Sequence, residues 1–323
     1  MALFDRDDLT RAVEVVRRHV PATPSYPWPL LAGELGTAVW VKHENHTPTG
    51  AFKVRGGLVH VDRLVTSRPV VTGIVSATRG NHGQSLAFAG RAHGLPVVIV
   101  VPHGNSVEKN AAMRGLGARL IVHGDDFQAA REHAAEVAAD EGLELVDSFH
   151  PDLVLGVATY ALELFEEVAD LDVVYVPIGM GSGICGLIGV RDLLGLSTEL
   201  IGVVAEGAPA MLRSFEEGRP VSTEFANTFV DGVACRVPDP TAVDQIAVGA
   251  AGIVAVSDDE TREAMRCLHR CTHSATEPAG AIALAGALRH RQQLAGKRVG
   301  VILTGANADA DLVAGVLASS ALE

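Results

Sequence analysis

The sequence of 323 residues is poor in cysteine and aromatic residues and contains no long apolar run. Its four cysteines are too few to suggest a disulfide framework, so a reducing cytoplasm is the expected setting. No stretch reaches the roughly 18 consecutive apolar residues that a membrane span requires. The amino terminus carries acids and arginines through its periodic part, which excludes a secretory signal peptide. These absences predict a cytoplasmic protein without a membrane segment.

The charge balance is acidic, since 26 Lys and Arg residues stand against 39 Asp and Glu residues and the net charge is −13. Nucleic acids are bound by clustered Lys and Arg, so this balance argues against a nucleic-acid partner. With 48% hydrophobic residues, the chain can bury a large core in one or two domains.

Strand and helix patterns alternate along most of the chain. After an N-terminal helix and a proline-rich extended stretch at 21–29, short apolar runs with the length of buried parallel strands alternate with helical periodicity. The predicted strands are 37–42, 70–75, 97–101, 119–122, 172–177, 200–205 and 298–303. The predicted helices are 8–19, 107–114, 126–139 and 152–168, with further helices starting at 53 and 81 and after the glycine loop that follows the strand at 172–177. This alternation predicts an α/β fold of parallel sheets with helices on both faces, in two lobes with a ligand cleft between them.

A segment around Lys53 reads HTPTGAFKVRGG from His46 to Gly57. Lysines are mostly exposed, so a surface side chain is one interpretation of Lys53. Phe52 and Val54 flank it, however, and apolar neighbours lower the pKa of an amine because they disfavour its charged form. A lowered pKa is what a Schiff-base lysine requires, so we predict a chemical role for Lys53.

The strand that ends at Val75 is followed by SATRGNHGQSLAFAG, residues 76–90. Thr78 and Asn81 offer hydroxyl and amide groups at a predicted helix start, where backbone N–H groups point outward. Such a corner suits a substrate carboxylate, and it equally suits an ordinary helix cap. The residues alone leave both interpretations open.

A glycine-rich loop, PIGMGSGICG, follows the predicted strand at 172–177. Its glycines let successive backbone N–H groups converge on an anion, and the next helix adds its positive end. Gly181, Gly183 and Gly186 also match the G-x-G-x-x-G dinucleotide fingerprint, with Glu206 at about the expected interval. The pattern therefore predicts an anion site, and a nicotinamide dinucleotide remains one candidate for its ligand.

Together, TPTGAFKVRGG, the RGNH corner and GMGSG resemble the motifs of the fold-type II pyridoxal-phosphate enzymes, which include threonine and serine dehydratases, serine racemase and threonine synthase. The resemblance spans nearly the whole chain. It implies pyridoxal 5'-phosphate as cofactor and Lys53 as its anchor and catalytic residue. The implied cofactor contacts are Phe52, Lys53, Asn81, Gly179, Met180, Gly181, Ser182, Gly183, Glu277 and Thr304. The implied substrate contacts are Thr78, Arg79, Gly80, Asn81 and His82.

Two segments near the end of the chain fit the same family. LTGAN at 303–307 resembles the segment whose hydroxyl meets the pyridine nitrogen, which is the role implied for Thr304; a helix cap is the alternative. TEPAGA at 276–281 resembles a helix start on the cofactor side of the cleft. Its Glu277 either lines that cleft or only stabilises the helix N-terminus.

Arg79 departs from the family pattern, in which small residues are common at this position. Racemases of the group use a serine there as a second base, and a guanidinium cannot take that role because it stays protonated. Racemisation is therefore less favoured than elimination. Arg79 either binds a second acidic group of the substrate, such as that of a hydroxyaspartate, or points to solvent.

No metal site is expected. Glu206 lies near the position of an acidic metal ligand in cation-dependent relatives, but GAPAML follows it where a second acid is needed. In RCLHRCTH, at 266–273, helical spacing puts the two cysteines on one face and the two histidines on another, so the four cannot easily bind one ion.

The resemblance implies a dehydratase, or ammonia-lyase, that removes the β-hydroxyl of threonine or serine and yields a 2-oxo acid and ammonia. The alternatives are an acidic or bulkier substrate such as hydroxyaspartate or phenylserine, an amino-acid racemase, a nicotinamide-dependent oxidoreductase and a non-catalytic amino-acid-binding protein. The implied architecture is of the tryptophan synthase β type, with a large cofactor domain at 1–46 and 148–323 and a small substrate domain at 47–147. We also expect a homodimer, and no appended regulatory domain.

Overall fold

The computed structural model describes residues 3–319 and contains two β-sheets. The larger sheet has the strand order β1-β2-β10-β7-β8-β9. Its strands are β1 (Ser25–Pro27), β2 (Ala38–His43), β7 (Val173–Pro177), β8 (Glu199–Ala205), β9 (Gly252–Val256) and β10 (Arg298–Leu303). All neighbours are parallel except β1, which runs antiparallel to β2.

The smaller sheet is wholly parallel and has the order β5-β4-β3-β6. Its strands are β3 (Ile74–Ala77), β4 (Val97–Val101), β5 (Arg119–Val122) and β6 (Glu144–Leu145). The chain thus enters the larger sheet first, builds the smaller one, and then returns to complete the larger one. The predicted α/β class with parallel sheets is confirmed.

Helices connect the strands throughout the described range. They are α1 (Arg6–Arg17), α2 (Pro29–Leu35), α3 (Lys53–Ser67), α4 (Asn81–His93), α5 (Val107–Gly115), α6 (Phe127–Glu141), α7 (Pro151–Glu167), α8 (Ser182–Leu194), α9 (Ala210–Glu217), α10 (Pro240–Gly249), α11 (Asp258–Thr272), α12 (Pro278–Arg289) and α13 (Ala310–Ala318). Helices lie on both faces of the larger sheet, because alternate residues of β7 belong to different apolar clusters: Val174 and Val176 to one, Val173 and Tyr175 to the other.

Two sequence-based boundaries were wrong. The stretch 21–29 is not uniformly extended, since Pro29 opens α2; a proline is tolerated at the first helical position, where its missing N–H is not needed. The strand predicted at 70–75 begins only at Ile74. Val70 is 85% exposed in the preceding turn, so its apolar side chain does not mark the strand.

A buried charge cluster joins α3 and α7 to the strand β2. Arg55 is fully buried, and its guanidinium donates to Glu44 at 2.8 and 3.0 Å and to Glu163 at 2.8 Å through two nitrogens. Lys42 is also fully buried and donates to Glu163 at 2.9 Å and to the carbonyl of Thr23 at 2.7 Å. Every charge in this cluster has a partner, as buried charges in a stable core require.

The cysteine and histidine pattern on α11 is arranged as predicted. Cys267 and Cys271 are buried with their Sγ atoms 4.0 Å apart, whereas His269 and His273 are exposed. The four side chains therefore do not face one ion. Within residues 3–319, no helix combines the length and the apolar character that crossing a membrane demands.

Candidate active site

The lysine segment is held by the end of the last strand. Ala51 forms an isolated antiparallel bridge with Gly305, and the N–H of Phe52 donates to the carbonyl of Thr304 at 3.0 Å. Thr47 secures the turn, because its hydroxyl both accepts from the N–H and donates to the carbonyl of Ala51, each at 2.9 Å. These bonds fix the backbone immediately before Lys53, which is the first residue of α3.

Lys53 is a cation without a partner. No hydrogen bond or ion pair to its amine is formed by the residues at 3–319, and the ring of Phe52 lies 5.3 Å from Nζ. Burial lowers the pKa of Lys53 to about 8, because poorly hydrated surroundings disfavour the charged ammonium. A neutral amine is the form that attacks a carbonyl carbon and that accepts a proton.

The corner after β3 builds the wall beside Lys53. The hydroxyl of Thr78 accepts the N–H of Gly80 at 3.0 Å, and α4 then begins at Asn81. No side chain caps α4, so its first-turn N–H groups are not taken up by a cap. The hydroxyl of Ser85 donates to the carbonyl of Lys53 at 2.6 Å, which ties α4 to the start of α3.

Asn81 is held in one orientation by two neighbours. Its amide nitrogen donates to Glu277 Oε1 at 2.6 Å, and its carbonyl oxygen accepts from Asn307 Nδ2 at 2.9 Å. Asn307 is itself fixed, since the same nitrogen donates to the carbonyl of Thr49 at 2.7 Å. Asn81, the predicted contact of the cofactor ring, therefore belongs to a hydrogen-bond network that connects separate segments of the sequence.

Glu277 lies in the cleft and does not cap α12. It is the residue before that helix, but its carboxylate makes no capping hydrogen bond there. Oε1 accepts from Asn81, whereas Oε2 is buried and has no hydrogen-bond partner among residues 3–319. Burial raises the pKa of Glu277 to about 7, although Lys109 acts in the opposite direction. A carboxyl group poised near neutrality is a common feature of active sites.

Lys109 and Asp231 belong to this site, and sequence reasoning missed both. Nζ of Lys109 lies 2.7 Å from Asp231 Oδ2 and 3.6 Å from Glu277 Oε2. Burial alone would lower the pKa of Lys109, but the two acids raise it, so the side chain stays charged. Lys109 lies on a helix predicted only from its periodicity, and Asp231 begins a single 3₁₀ turn, Asp231–Val233, that no motif marks, so only the fold brings them together.

His82 is buried beside Lys53, and its surroundings weaken it as a base. Within the described part of the chain, its Nε2 has no hydrogen-bond partner. Burial and the charge of Lys53 lower the pKa of His82 to about 3, so the ring is neutral and binds a proton only in strong acid. His82 therefore shapes the cavity wall and adds an uncharged polar atom to it.

The glycine loop presents backbone to the cavity. Gly181 has φ +101°, which L side chains rarely adopt, and a Cβ on Gly179 would lie 2.6 Å from the carbonyl oxygen of Gly232. The helix α8 then begins at Ser182 without a side-chain cap. Uncapped N–H groups and the positive end of a helix are suited to a phosphate.

The dinucleotide interpretation of the same glycines was wrong. Gly186 packs α8 against α7, where an added Cβ would lie 3.1 Å from the backbone nitrogen of Ala158. Glu206, which that interpretation needs at the ribose, is half-exposed on the surface and pairs with Arg289 at 3.1 Å. The lysine, the asparagine corner and the glycine loop instead face one cavity.

That cavity has a volume of about 1110 Å³. It is lined by every predicted site residue: Phe52, Lys53, Thr78, Arg79, Gly80, Asn81, His82, Gly179, Met180, Gly181, Ser182, Gly183, Glu277 and Thr304. Thr304 is buried, and its hydroxyl donates to the carbonyl of Ala279 at 3.2 Å. Lys109 and Asp231 line the cavity as well.

Fold and site together define a pyridoxal-phosphate enzyme of the α/β class, because one cavity combines a half-buried lysine that has no polar partner among residues 3–319 with an uncapped glycine-loop helix. Residues 16–305 match the family described as pyridoxal-phosphate dependent enzyme, and the chain belongs to this family. The predicted cofactor class is confirmed.

Named relatives agree with this assignment. The chain is 30% identical to the L-threonine ammonia-lyase of Thermotoga maritima over 95% of this chain and 76% of that protein. It is 32% identical to an L-threo-3-hydroxyaspartate ammonia-lyase of Pseudomonas sp over 98% of this chain and 99% of that protein. Among solved structures, the processed form of threonine deaminase isoform 2 from Solanum lycopersicum covers 98% of this chain and 95% of its own, with 27% identity and a TM-score of 0.89.

Proposed function

We propose that this chain is a pyridoxal-phosphate-dependent dehydratase, or ammonia-lyase, that removes the β-hydroxyl of a small hydroxy amino acid and yields a 2-oxo acid and ammonia. The observation that carries the proposal is the convergence of Lys53, the α4 corner and the glycine loop on one cavity. The similarity to threonine and hydroxyaspartate ammonia-lyases supports the reaction type.

The cavity offers the cofactor two anchors. Lys53 would hold it covalently, and the loop from Gly179 to Gly183 would bind its phosphate through backbone N–H groups and the start of α8. Thr304 would meet the ring nitrogen with a neutral hydroxyl, and Asn81 would contact the ring edge. When bound, pyridoxal phosphate draws electrons from the substrate α-carbon.

The chain's own groups supply position and proton transfer. The first turn of α4 and the hydroxyl of Thr78 would hold the substrate carboxylate. Nζ of Lys53, whose pKa is lowered by burial, would take the α-proton. Glu277 and Asn307 keep Asn81 in position. Racemisation would need a second base, and His82 does not provide one because its pKa is lowered to about 3.

Threonine or serine is the substrate we favour, and one observation supports hydroxyaspartate as a second candidate. Arg79 is exposed, lines the cavity, and has no ion-pair or hydrogen-bond partner among residues 3–319. The aspartates that line the cavity have other partners: Asp231 pairs with Lys109, Asp147 pairs with Arg131, and Asp126 and Asp239 cap α6 and α10. A free guanidinium at the rim suits a second acidic group on the substrate.

Ammonia release from L-threonine, L-serine and both diastereomers of hydroxyaspartate tests the reaction and its substrate together. The proposal expects release from at least one of them, dependent on added pyridoxal phosphate. If hydroxyaspartate is preferred, Arg79→Ala will reduce kcat/KM for it by at least about tenfold and leave threonine unaffected. No release from any hydroxy amino acid by the cofactor-loaded protein would refute the dehydratase assignment.

Three broader features belong to the same proposal. The smaller sheet lies within 74–145, which supports a small substrate domain at 47–147 and a large cofactor domain at 1–46 and 148–323. All four cysteines are free thiols, which supports a reducing cytoplasm. We also propose a homodimer by analogy with the family, and light scattering of the purified protein would measure its mass.

A further inference from the structure

A second, smaller cavity adjoins the active site. Its volume is about 190 Å³, and its wall includes the start of α7 and the middle of α3. Asp147 and Phe149 line both cavities, so one short segment separates the two. The proposed reaction does not use this smaller cavity.

Three metal-binding side chains converge in it. His60 comes from α3, His150 precedes α7, and Asp152 lies in the first turn of α7. One ligand atom from each lies within 4.8 Å of the others. Two imidazoles and one carboxylate form a donor set that zinc and similar transition metals prefer, with further positions left for water.

The spacing of the donor atoms is close to that of one coordination sphere. Nδ1 of His60 lies 3.6 Å from Oδ2 of Asp152, and Nδ1 of His150 lies 3.4 Å from the same oxygen. A tetrahedral ion with bonds of about 2.0–2.1 Å keeps its ligand atoms about 3.3 Å apart. Small side-chain movements would therefore place all three atoms on one ion.

His60 lacks the partner that a buried histidine normally has. The residue is only 8% exposed, and its buried Nδ1 forms no hydrogen bond with any residue from 3 to 319, since 3.6 Å to Asp152 is too long for one. An unsatisfied buried nitrogen costs free energy, which a bound ion would recover. His150, in contrast, is half-exposed and gives an ion access from solvent.

The remaining contacts are compatible with an ion. Nδ1 of His150 accepts the N–H of Asp152 at 3.1 Å, and a metal would replace that N–H as its partner. Arg63 donates to Oδ1 of Asp152 at 2.8 Å, which leaves Oδ2 for the ion. We propose that His60, His150 and Asp152 form a binding site for one divalent transition-metal ion such as Zn²⁺, separate from the cofactor cavity.

Another cluster of donors in the described range is less suitable. Cys267 and Cys271 lie near Glu34. Burial and the neighbouring thiol raise the pKa of Cys267 to about 12, so zinc would have to displace a tightly held proton there. It serves as a control for the proposed site.

Metal analysis of the cofactor-loaded protein after dialysis against micromolar Zn²⁺ tests the proposal. The wild-type protein is expected to bind one equivalent, and His150→Ala and Asp152→Asn to weaken binding by at least about tenfold. Arg63→Met removes the ion pair to Asp152 but keeps all three ligands, so it is expected to retain the ion or bind it more tightly. Cys267→Ser and His133→Ala are expected to retain it.

Visible cofactor absorption and turnover, unchanged in every variant, would show that each one is folded. Loss of zinc only in Cys267→Ser would overturn the proposal in favour of the thiol cluster. Equal zinc content in wild type, His150→Ala and Asp152→Asn, or no zinc in the wild-type protein, would also overturn it.

Discussion

Lys53 and Arg55 lie two residues apart on α3, yet their surroundings are opposite. Arg55 points into the core, where Glu44 and Glu163 bond its guanidinium. Lys53 points into the cavity, and its amine has no partner within residues 3–319. Two acids show the same contrast, since Glu163 has several donors whereas Glu277 keeps one oxygen unsatisfied.

The difference separates charges that hold the fold from charges that perform chemistry. A satisfied buried charge keeps its ordinary protonation state and is costly to disturb. An unsatisfied one has a shifted pKa and can exchange protons near neutral pH, as the values of about 8 for Lys53 and about 7 for Glu277 indicate. Stability and activity should therefore respond differently to substitutions at the two kinds of residue.

Replacing Lys53 should have the largest effect on activity. Lys53→Ala is expected to reduce turnover by at least about 10³-fold, because both the cofactor anchor and the base are lost. The stability of the cofactor-free protein should be unchanged or higher, since the amine has no partner to lose. Lys297→Ala, at an exposed ion pair with Glu199, is the control and should keep full activity. Substantial turnover by Lys53→Ala would contradict the assigned role.

Replacing Arg55 should have the largest effect on stability. Arg55→Met leaves Glu44 and Glu163 without their main partner, and we expect a loss of about 3–5 kcal/mol in the free energy of unfolding, measured by urea denaturation. The double variant with Glu44→Gln should recover part of that loss, because one of the two stranded charges is removed. A loss below about 1 kcal/mol would show that the cluster is not needed for stability.

Glu277 should give the cofactor-free protein a measurable pH dependence. Its pKa is about 7 in the folded state and 4.5 when unfolded, so the folded state binds the proton more tightly. The contribution of Glu277 to the free energy of unfolding is fully present below pH 4.5. It falls as the pH rises from 4.5 through 7, by an amount on the order of 3 kcal/mol in total. Urea denaturation at several pH values should show this slope relative to Glu277→Gln, and the surface variant Glu216→Gln should keep it. Parallel profiles for wild type and Glu277→Gln would refute the raised pKa.

The smallest of these effects is expected at Lys109. Lys109→Met breaks the contact with Asp231 across the cavity, and we expect KM to rise by roughly tenfold with a smaller change in kcat. Lys109→Arg keeps the charge and should recover most of the affinity. Steady-state kinetics of the two variants would measure both effects. An unchanged KM in Lys109→Met would show that Lys109 does not contribute to substrate binding.

Local sequence predicted the motif residues of the cavity better than the charged residues whose partners lie far away along the chain. Lys53, Asn81 and the glycine loop stand beside glycines and apolar residues that carry their own signal, and each of them faces the cavity. Lys109 and Asp231 are 122 positions apart, and their pairing depends on how α5 meets the loop before α10. Likewise, nothing local distinguishes the buried Arg55 from Arg63, which lies two turns further along the same helix.

Borohydride reduction of the purified, cofactor-loaded protein, followed by peptide mapping, tests the central claim most directly. A visible absorption band should disappear on reduction, and the modified peptide should carry the pyridoxyl group on Lys53. Modification of Lys42 or Lys109 in place of Lys53, or a protein that stays colourless after pyridoxal phosphate is added, would contradict the account of the unpaired lysine.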